Sequence, residues 1–509
     1  MHIIYKGESR VSKNFLYKFS FILVIGFIIK MLGLLNRVIM ARVLGIDGIA
    51  LFSLVMPTMG LFITLSQFGL PIAVSKIVSE NKIKDTYSNR NIIVKCVIFS
   101  SILSALLIIV FLSILRPLTQ DWLRNDNLYY PLLMIIPLIP LCSFTAILKG
   151  YLNGHKIIDI SSKSMLFEQI VRIIAAIILI FAVRERGIVA MVTVAIIAIS
   201  IGEITALGYL LFKVSKMTKL KFAISKTEEK ELNKVLKISL PITLSRIFSS
   251  ISNFLEPIIF TAALLTLGIQ RDQIARLFGS INSFALNLLL FLSFLTYTLS
   301  SILIPQISEL HAKKDYKKIE NIVRISNFFC FYFAGLSTII LMLFPFEYMN
   351  LIYGSENGAR FVIYMAPFFF VYYFQAVFVA VLQSANKAHL LLYINIIGNI
   401  IKLVLIFFLT SIPEINANGL AIAIIFIVLF NTVMYYIILR KNNLYKIDFK
   451  IFLLGIALIA LMYLLGQNLS ASMNNYLVVS GIIFLTYTII LYGYYQIKAK
   501  KLLDDFRNP

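Results

Sequence analysis

Negative charge is scarce in this 509-residue sequence: 24 Asp and Glu stand against 47 Lys and Arg, and charged residues of both signs make up only 14%. Soluble domains carry about 25% charged residues, so a large water-facing surface is excluded. Cysteine is scarcer still. Cys96, Cys142 and Cys330 lie far apart in or beside apolar runs, which excludes a disulfide or cysteine-metal framework and leaves them as small core residues. The four histidines, His2, His155, His311 and His389, have no ligand spacing among them, so no metal is expected. Neither G-x-x-x-x-G-K-[ST] nor H-E-x-x-H occurs, and no gap between apolar runs could hold a nucleotide-binding domain. These absences predict a non-enzyme without a cofactor. Any transport must then draw on an ion gradient, the membrane potential or the gradient of the substrate itself.

What is present is hydrophobic: 60% of residues, with a mean hydropathy of +0.89. A bilayer core of about 30 Å takes roughly 20 helical residues, and fourteen apolar runs of that order fill almost the whole chain. The fold class expected is an all-α membrane protein. With the N-terminus cytoplasmic, roughly three quarters of the Lys and Arg fall on the cytoplasmic side, a positive-inside bias that predicts an even number of spans and both termini in the cytoplasm. The net charge of +23 therefore reads as topology and contact with anionic membrane lipids, not as nucleic-acid binding. The first run contains Lys30 and lacks a small-residue cleavage site, so it reads as a retained span.

The longest polar segment, 213–237, divides the chain. Residues 1–212 are expected to form an N-terminal six-helix lobe, 213–237 a basic cytoplasmic linker, 238–440 a C-terminal six-helix lobe, and 441–509 a terminal helix pair with a cytoplasmic tail. A shift of 230 residues lays "IIPLIPLCSFTAILKGYLNGHK" (135–156) over "MAPFFFVYYFQAVFVAVLQSAN" (365–386), matching Pro137 with Pro367 and Arg172 with Lys402. This supports a parallel pseudo-two-fold repeat of two bundles around a cavity. The last pair has no charged residue between Ile451 and Gln496 and is expected at the periphery.

Seven charges sit within spans: Lys30, Arg172, Arg246, Lys402, Glu168, Glu203 and Glu256. Each costs about 2.5–3.5 kcal/mol at mid-bilayer on insertion scales, so each should face protein or water. Gly26, Lys30, Gly33 and Arg37 share one helical face, with the alternative that the glycines pack tightly while Lys30 and Arg42 reach opposite surfaces. Ser53, Pro57, Gly60, Thr64 and Gln67 form a small, polar stripe suited to a cavity wall or gating helix, or to plain helix packing. Thr243, Arg246, Ser250 and Asn253 share a face, with Glu256 at its edge just before Pro257, a site for a kink. Asn395, Asn399 and Lys402 align in the eleventh span. Facing one cavity, Lys30, Arg37, Arg172, Arg246 and Lys402 outnumber Glu168 and Glu256. The substrate expected is anionic, with phosphate or pyrophosphate suiting Arg and Lys. Amides, hydroxyls and tyrosines (Asn253, Asn287, Gln375, Gln383, Tyr373) suit sugars, though less specifically. Gly26, Gly33, Pro57 and Pro257 are the candidate gating positions. Glu168 and Glu256 are candidates for a coupling or counter-charge role. Glu168 and Arg172 lie at i,i+4 and could simply neutralise each other. The repeat favours a substrate-facing Arg172, because Lys402 recurs while the position matching Glu168 is Gly398.

The stretches "KMLGLLNRVIMARVLG" (30–45), "SQFGLPIAVSKIVSE" (66–80), "FEQIVRI" (167–173), "RIFSSISNFLEPII" (246–259) and "YTLSSILIPQISE" (297–309), with the fourteen-span layout, resemble the polysaccharide transporter branch of the multidrug/oligosaccharidyl-lipid/polysaccharide exporter superfamily, which includes the lipid II flippases. The resemblance implies two six-helix lobes, alternating access and flipping of a lipid-linked peptidoglycan precursor across the cytoplasmic membrane, for spore cortex synthesis in a spore former. Flippases of this kind are similar in using arginines of the first and central helices, which lends weight to Lys30, Arg37 and Arg246. Two other readings compete: an ion-coupled exporter of organic cations, which would want net acidic binding groups, and a nontransporting scaffold that recruits cell-wall synthesis enzymes through its basic loops.

Overall fold

A computed structural model describes residues 13–80, 86–218, 229–473 and 475–507, and among these every regular element is helical. Eleven helices are long and apolar enough to cross a membrane, or thirteen spans when two bent pairs each count as one: Arg271–Leu289 with Ser293–Ala312, bent by 58°, and Ala359–Phe369 with Tyr372–Ser384, bent by 45°. The first of them hides a further crossing. Lys13–Gln67 runs for 55 residues, about 80 Å if continuous, against a core of about 30 Å. At Gly45 the backbone leaves the helix at φ 67, ψ −171, a region open essentially to glycine alone. The break leaves segments 13–44 and 46–67, each of crossing length, beside the eleven to thirteen candidate spans found where fourteen were expected.

The chain separates into two compact units, Met1–Phe254 and Leu255–Pro509, with the boundary inside the helix Glu229–Thr266. Of the expected linker 213–237, residues 219–228 lie outside the described residues. In the first unit the core gathers Leu70, Val74, Cys96, Ile147, Leu152 and Leu210. In the second it gathers Ile307, Val323, Cys330, Val377, Val381 and Leu439. The terminal helices Phe449–Ser472 and Tyr476–Arg507 pack through Met462, Ile483 and Tyr487 onto Leu336 and Ile339 of Tyr316–Leu343. Their other faces leave Leu454 and Ile489 each 68% exposed, which suits lipid. All three cysteines are buried and unlinked.

The 230-residue offset seen in the sequence returns in the helix boundaries. Helices begin at Ile158 and Ile188 in the first unit and at Ala388 and Asn418 in the second, and helices end at Gly154 and at Ser384. The turns after those ends each use one left-handed residue at the same offset, Lys156 (φ 60) and Asn386 (φ 59).

Candidate functional site

In the first unit, Gly26, Lys30 and Arg37 are exposed along one face of Lys13–Gln67. A Cβ placed at Gly26, Gly33 or Gly60 would meet no atom within 4 Å. These glycines border open space, so tight helix packing is not what they provide. An exposed cation within a span is expensive against lipid, so this face is expected to meet water or protein and not acyl chains. Arg246 and Asn253 are likewise exposed on Glu229–Thr266, while Thr243 is buried. One turn beyond Arg246, Ser250 Oγ donates to Thr64 Oγ1 at 3.0 Å, and Thr64 Oγ1 donates to the Gly60 carbonyl at 2.8 Å. That bond joins the polar stripe of 46–67 to the stripe carrying Arg246 and Asn253. Beside them the ring of Trp122, the sole tryptophan, meets Phe254 edge-on with centroids 6.4 Å apart. Pro57 lies half-buried in an unbroken stretch of helix, the break falling at Gly45 instead.

Glu168 and Glu256 hold Arg172 and Lys402 in ion pairs, and Glu203 takes a hydroxyl. Buried Glu168 accepts a hydrogen bond from Lys149 Nζ at 3.2 Å and another from Arg172, whose side chain is 18% exposed. Thr145 Oγ1 donates to buried Glu203 at 3.0 Å. In the second unit Glu256 accepts from Lys402 Nζ at 2.8 Å and from Asn282 Nδ2 at 3.2 Å, with Lys402, Glu256 and the adjoining Pro257 all buried. Sequence showed Lys402 without an acid on its own helix. In space its acid arrives from a helix 146 residues away. Among the sugar candidates, buried Tyr373 donates to the Leu289 carbonyl at 3.0 Å, and buried Gln375 donates to Val428 and Thr432 at 2.9 and 2.8 Å. Those groups hold helices together. Lys149 escaped the sequence reading because the helix Leu138–Gly154 outlasts its apolar run. The available signal was Thr145 and Lys149 at i,i+4. Glu203 was visible as an intramembrane charge but lay on no polar stripe.

The second unit also holds an apolar cavity of about 350 Å³, lined by Phe328, Phe331, Phe374, Phe452 and Ile490, with Arg324, Lys446 and Asp448 among its polar residues. Its lining suits a hydrocarbon chain. No group of three or more His, Cys, Asp or Glu among the described residues converges as a metal site.

A family model described as "Polysaccharide biosynthesis protein" matches residues 15–311, and the MatE model matches residues 249–408. Stage V sporulation protein B of Bacillus subtilis (strain 168) is 34% identical over 406 residues, 79% of this chain and 78% of that relative. The Lipid II flippase MurJ of the same organism is 24% identical over 475 residues, 87% of this chain and 86% of that one. Among solved structures, the inward closed conformation of Lipid II flippase MurJ superposes with a TM-score of 0.70 at 15% identity, covering 94% of this chain and 99% of that one. At that identity the likeness speaks for the fold.

Proposed function

The chain belongs to the polysaccharide biosynthesis protein family of the multidrug/oligosaccharidyl-lipid/polysaccharide exporter superfamily, and from that premise we propose that it flips a lipid-linked oligosaccharide of the lipid II type across the cytoplasmic membrane. The observation that carries this reading is the open cationic face of the first unit, with Lys30, Arg37 and Arg246 exposed on span-length helices. Its chemistry suits a diphosphate: guanidinium forks and an ammonium point charge, with the Asn253 amide on the neighbouring helix face suited to a sugar. Arg172 and Lys402, each held by a buried glutamate in its own unit, would each meet substrate phosphate by exchanging that partner. Two six-helix lobes would alternate access, with Gly26, Gly33, Pro57 and Pro257 as the bending positions and both termini in the cytoplasm. Similarity to stage V sporulation protein B supports sporulation as the process served, with spore cortex synthesis as the step proposed.

The test is reconstitution in vesicles with a labelled lipid-linked disaccharide-peptide, with and without an imposed membrane potential. Arg246→Ala and Lys30→Ala should each lower translocation by an order of magnitude or more, about 1.4 kcal/mol per tenfold, at unchanged protein level in the membrane. Normal translocation by both variants would remove the cationic face from the mechanism. Accumulation of an organic cation that collapses with an ionophore, and no movement of the labelled lipid, would turn the assignment to drug export.

A further inference from the structure

Transport without ATP draws on an ion gradient, the membrane potential or the substrate's own gradient, and the first unit holds a carboxylate whose surroundings satisfy two protonation states. Glu203, on Ile188–Thr218, is 8% exposed. Its neighbour Glu168 takes both nearby cations, Lys149 and Arg172. Glu203 receives a hydroxyl instead, from Thr145. That hydroxyl has one hydrogen and three acceptors in reach: Glu203 Oε2 at 3.0 Å and the carbonyls of Leu141 and Cys142, both at 3.1 Å. With Glu203 ionised, Thr145 donates to the carboxylate. With Glu203 protonated, the carboxyl O–H donates to Thr145 Oγ1, and the hydroxyl hydrogen turns to a backbone carbonyl. No heavy atom need move, so the Glu203–Thr145 hydrogen bond is kept in both states.

A second observation ties this site to Arg172. Its Nε is buried without a hydrogen-bond partner. The Nε lies against Gly202, the residue before Glu203: a Cβ there would sit 3.5 Å from it and 2.9 Å from the Glu168 carbonyl. In the second unit the position matching Thr145 is Gln375, bonded to Thr432, so the same tie between helices is neutral there. The ionisable version belongs to the first unit.

We infer that Glu203 carries a proton in the transport cycle, taking it from water onto a carboxylate oxygen on one side of the membrane and returning it to water on the other. Its charge state decides whether Arg172 is held by Glu168 alone or shared between two carboxylates. The link to substrate movement rests on the flippase reading; the proton site itself does not. The charges acting on Glu203 are Glu168, Lys149 and Arg172, with Thr145 and Cys142 beside it on Leu138–Gly154. Of the other elements packed on its helix, Lys13–Gln67 carries Lys30, Arg37, Arg42 and Asp47, Tyr129–Leu133 carries Tyr129 and Tyr130, and the turn Arg184–Arg186 carries Arg184, Glu185 and Arg186.

The full chain in vesicles of phosphatidylethanolamine and phosphatidylglycerol would be titrated by infrared difference spectroscopy. The wild type should show a protonated-carboxyl band that is lost in Glu203→Gln, kept in Glu256→Gln, and displaced in Glu203→Asp, which covers disturbed folding of the glutamine variant. In the same vesicles a pH gradient should alter wild-type translocation of the labelled lipid-linked disaccharide-peptide, and that response should be lost in Glu203→Gln. Persistence of the same band in both Glu203 variants would overturn the proposal while leaving the flippase reading intact. A band assigned to Glu203 in a protein that moves no lipid would overturn the flippase reading and leave the proton site standing.

Discussion

Gly202 and Gly26 are one residue type in one kind of environment, and their surroundings ask opposite things of them. A Cβ at Gly202 would press on the Glu168 carbonyl at 2.9 Å and on Arg172 Cβ at 3.1 Å, whereas at Gly26 it would meet nothing within 4 Å. Gly202→Val should therefore separate two helices and lower stability by about 1–3 kcal/mol, seen as an earlier melting transition in detergent. Gly26→Ala should melt with the wild type and show its effect, if any, in translocation. Equal melting of both variants would mean that the helix contact at Gly202 gives way more easily than its backbone neighbours suggest.

At the scale of elements, the Lys402–Glu256 pair fastens Ala388–Thr410 to the end of Glu229–Thr266 inside the second unit. Removing one member leaves a buried charge alone, at a cost of about 3–5 kcal/mol, while replacing both by apolar groups restores much of the loss. Glu256→Gln should thus unfold markedly earlier than Glu256→Leu combined with Lys402→Met, by thermal melting in detergent. The same pair shows where sequence stopped informing. Spans follow from apolar length, because that is written along the chain. The partner of Lys402 is set by tertiary packing, and no periodicity within either helix points from one to the other. Lys149 was missed for a related reason: helix length and apolar length differ, and only the second can be read directly.

For the whole molecule, charge asymmetry between loops predicts an orientation that the helices alone do not. A fluorescent protein fused after Pro509 should fold and fluoresce, a periplasmic phosphatase at the same place should stay inactive, and the phosphatase inserted near Arg184, in a loop on the opposite side, should be active. The reverse pattern would invert the proposed direction of transport. Glycine placement adds what the charge count lacks. The break at Gly45 divides one uninterrupted stretch of sequence into two segments of crossing length.

The contact between Trp122 and Phe254 also makes the molecule its own optical probe. Because the chain has one tryptophan, all indole emission comes from a ring that touches the residue following Asn253. Any tilt of the Glu229–Thr266 helix or arrival of substrate at Asn253 would change the polarity around that ring, so the working cycle can be followed by intrinsic fluorescence without attaching a label.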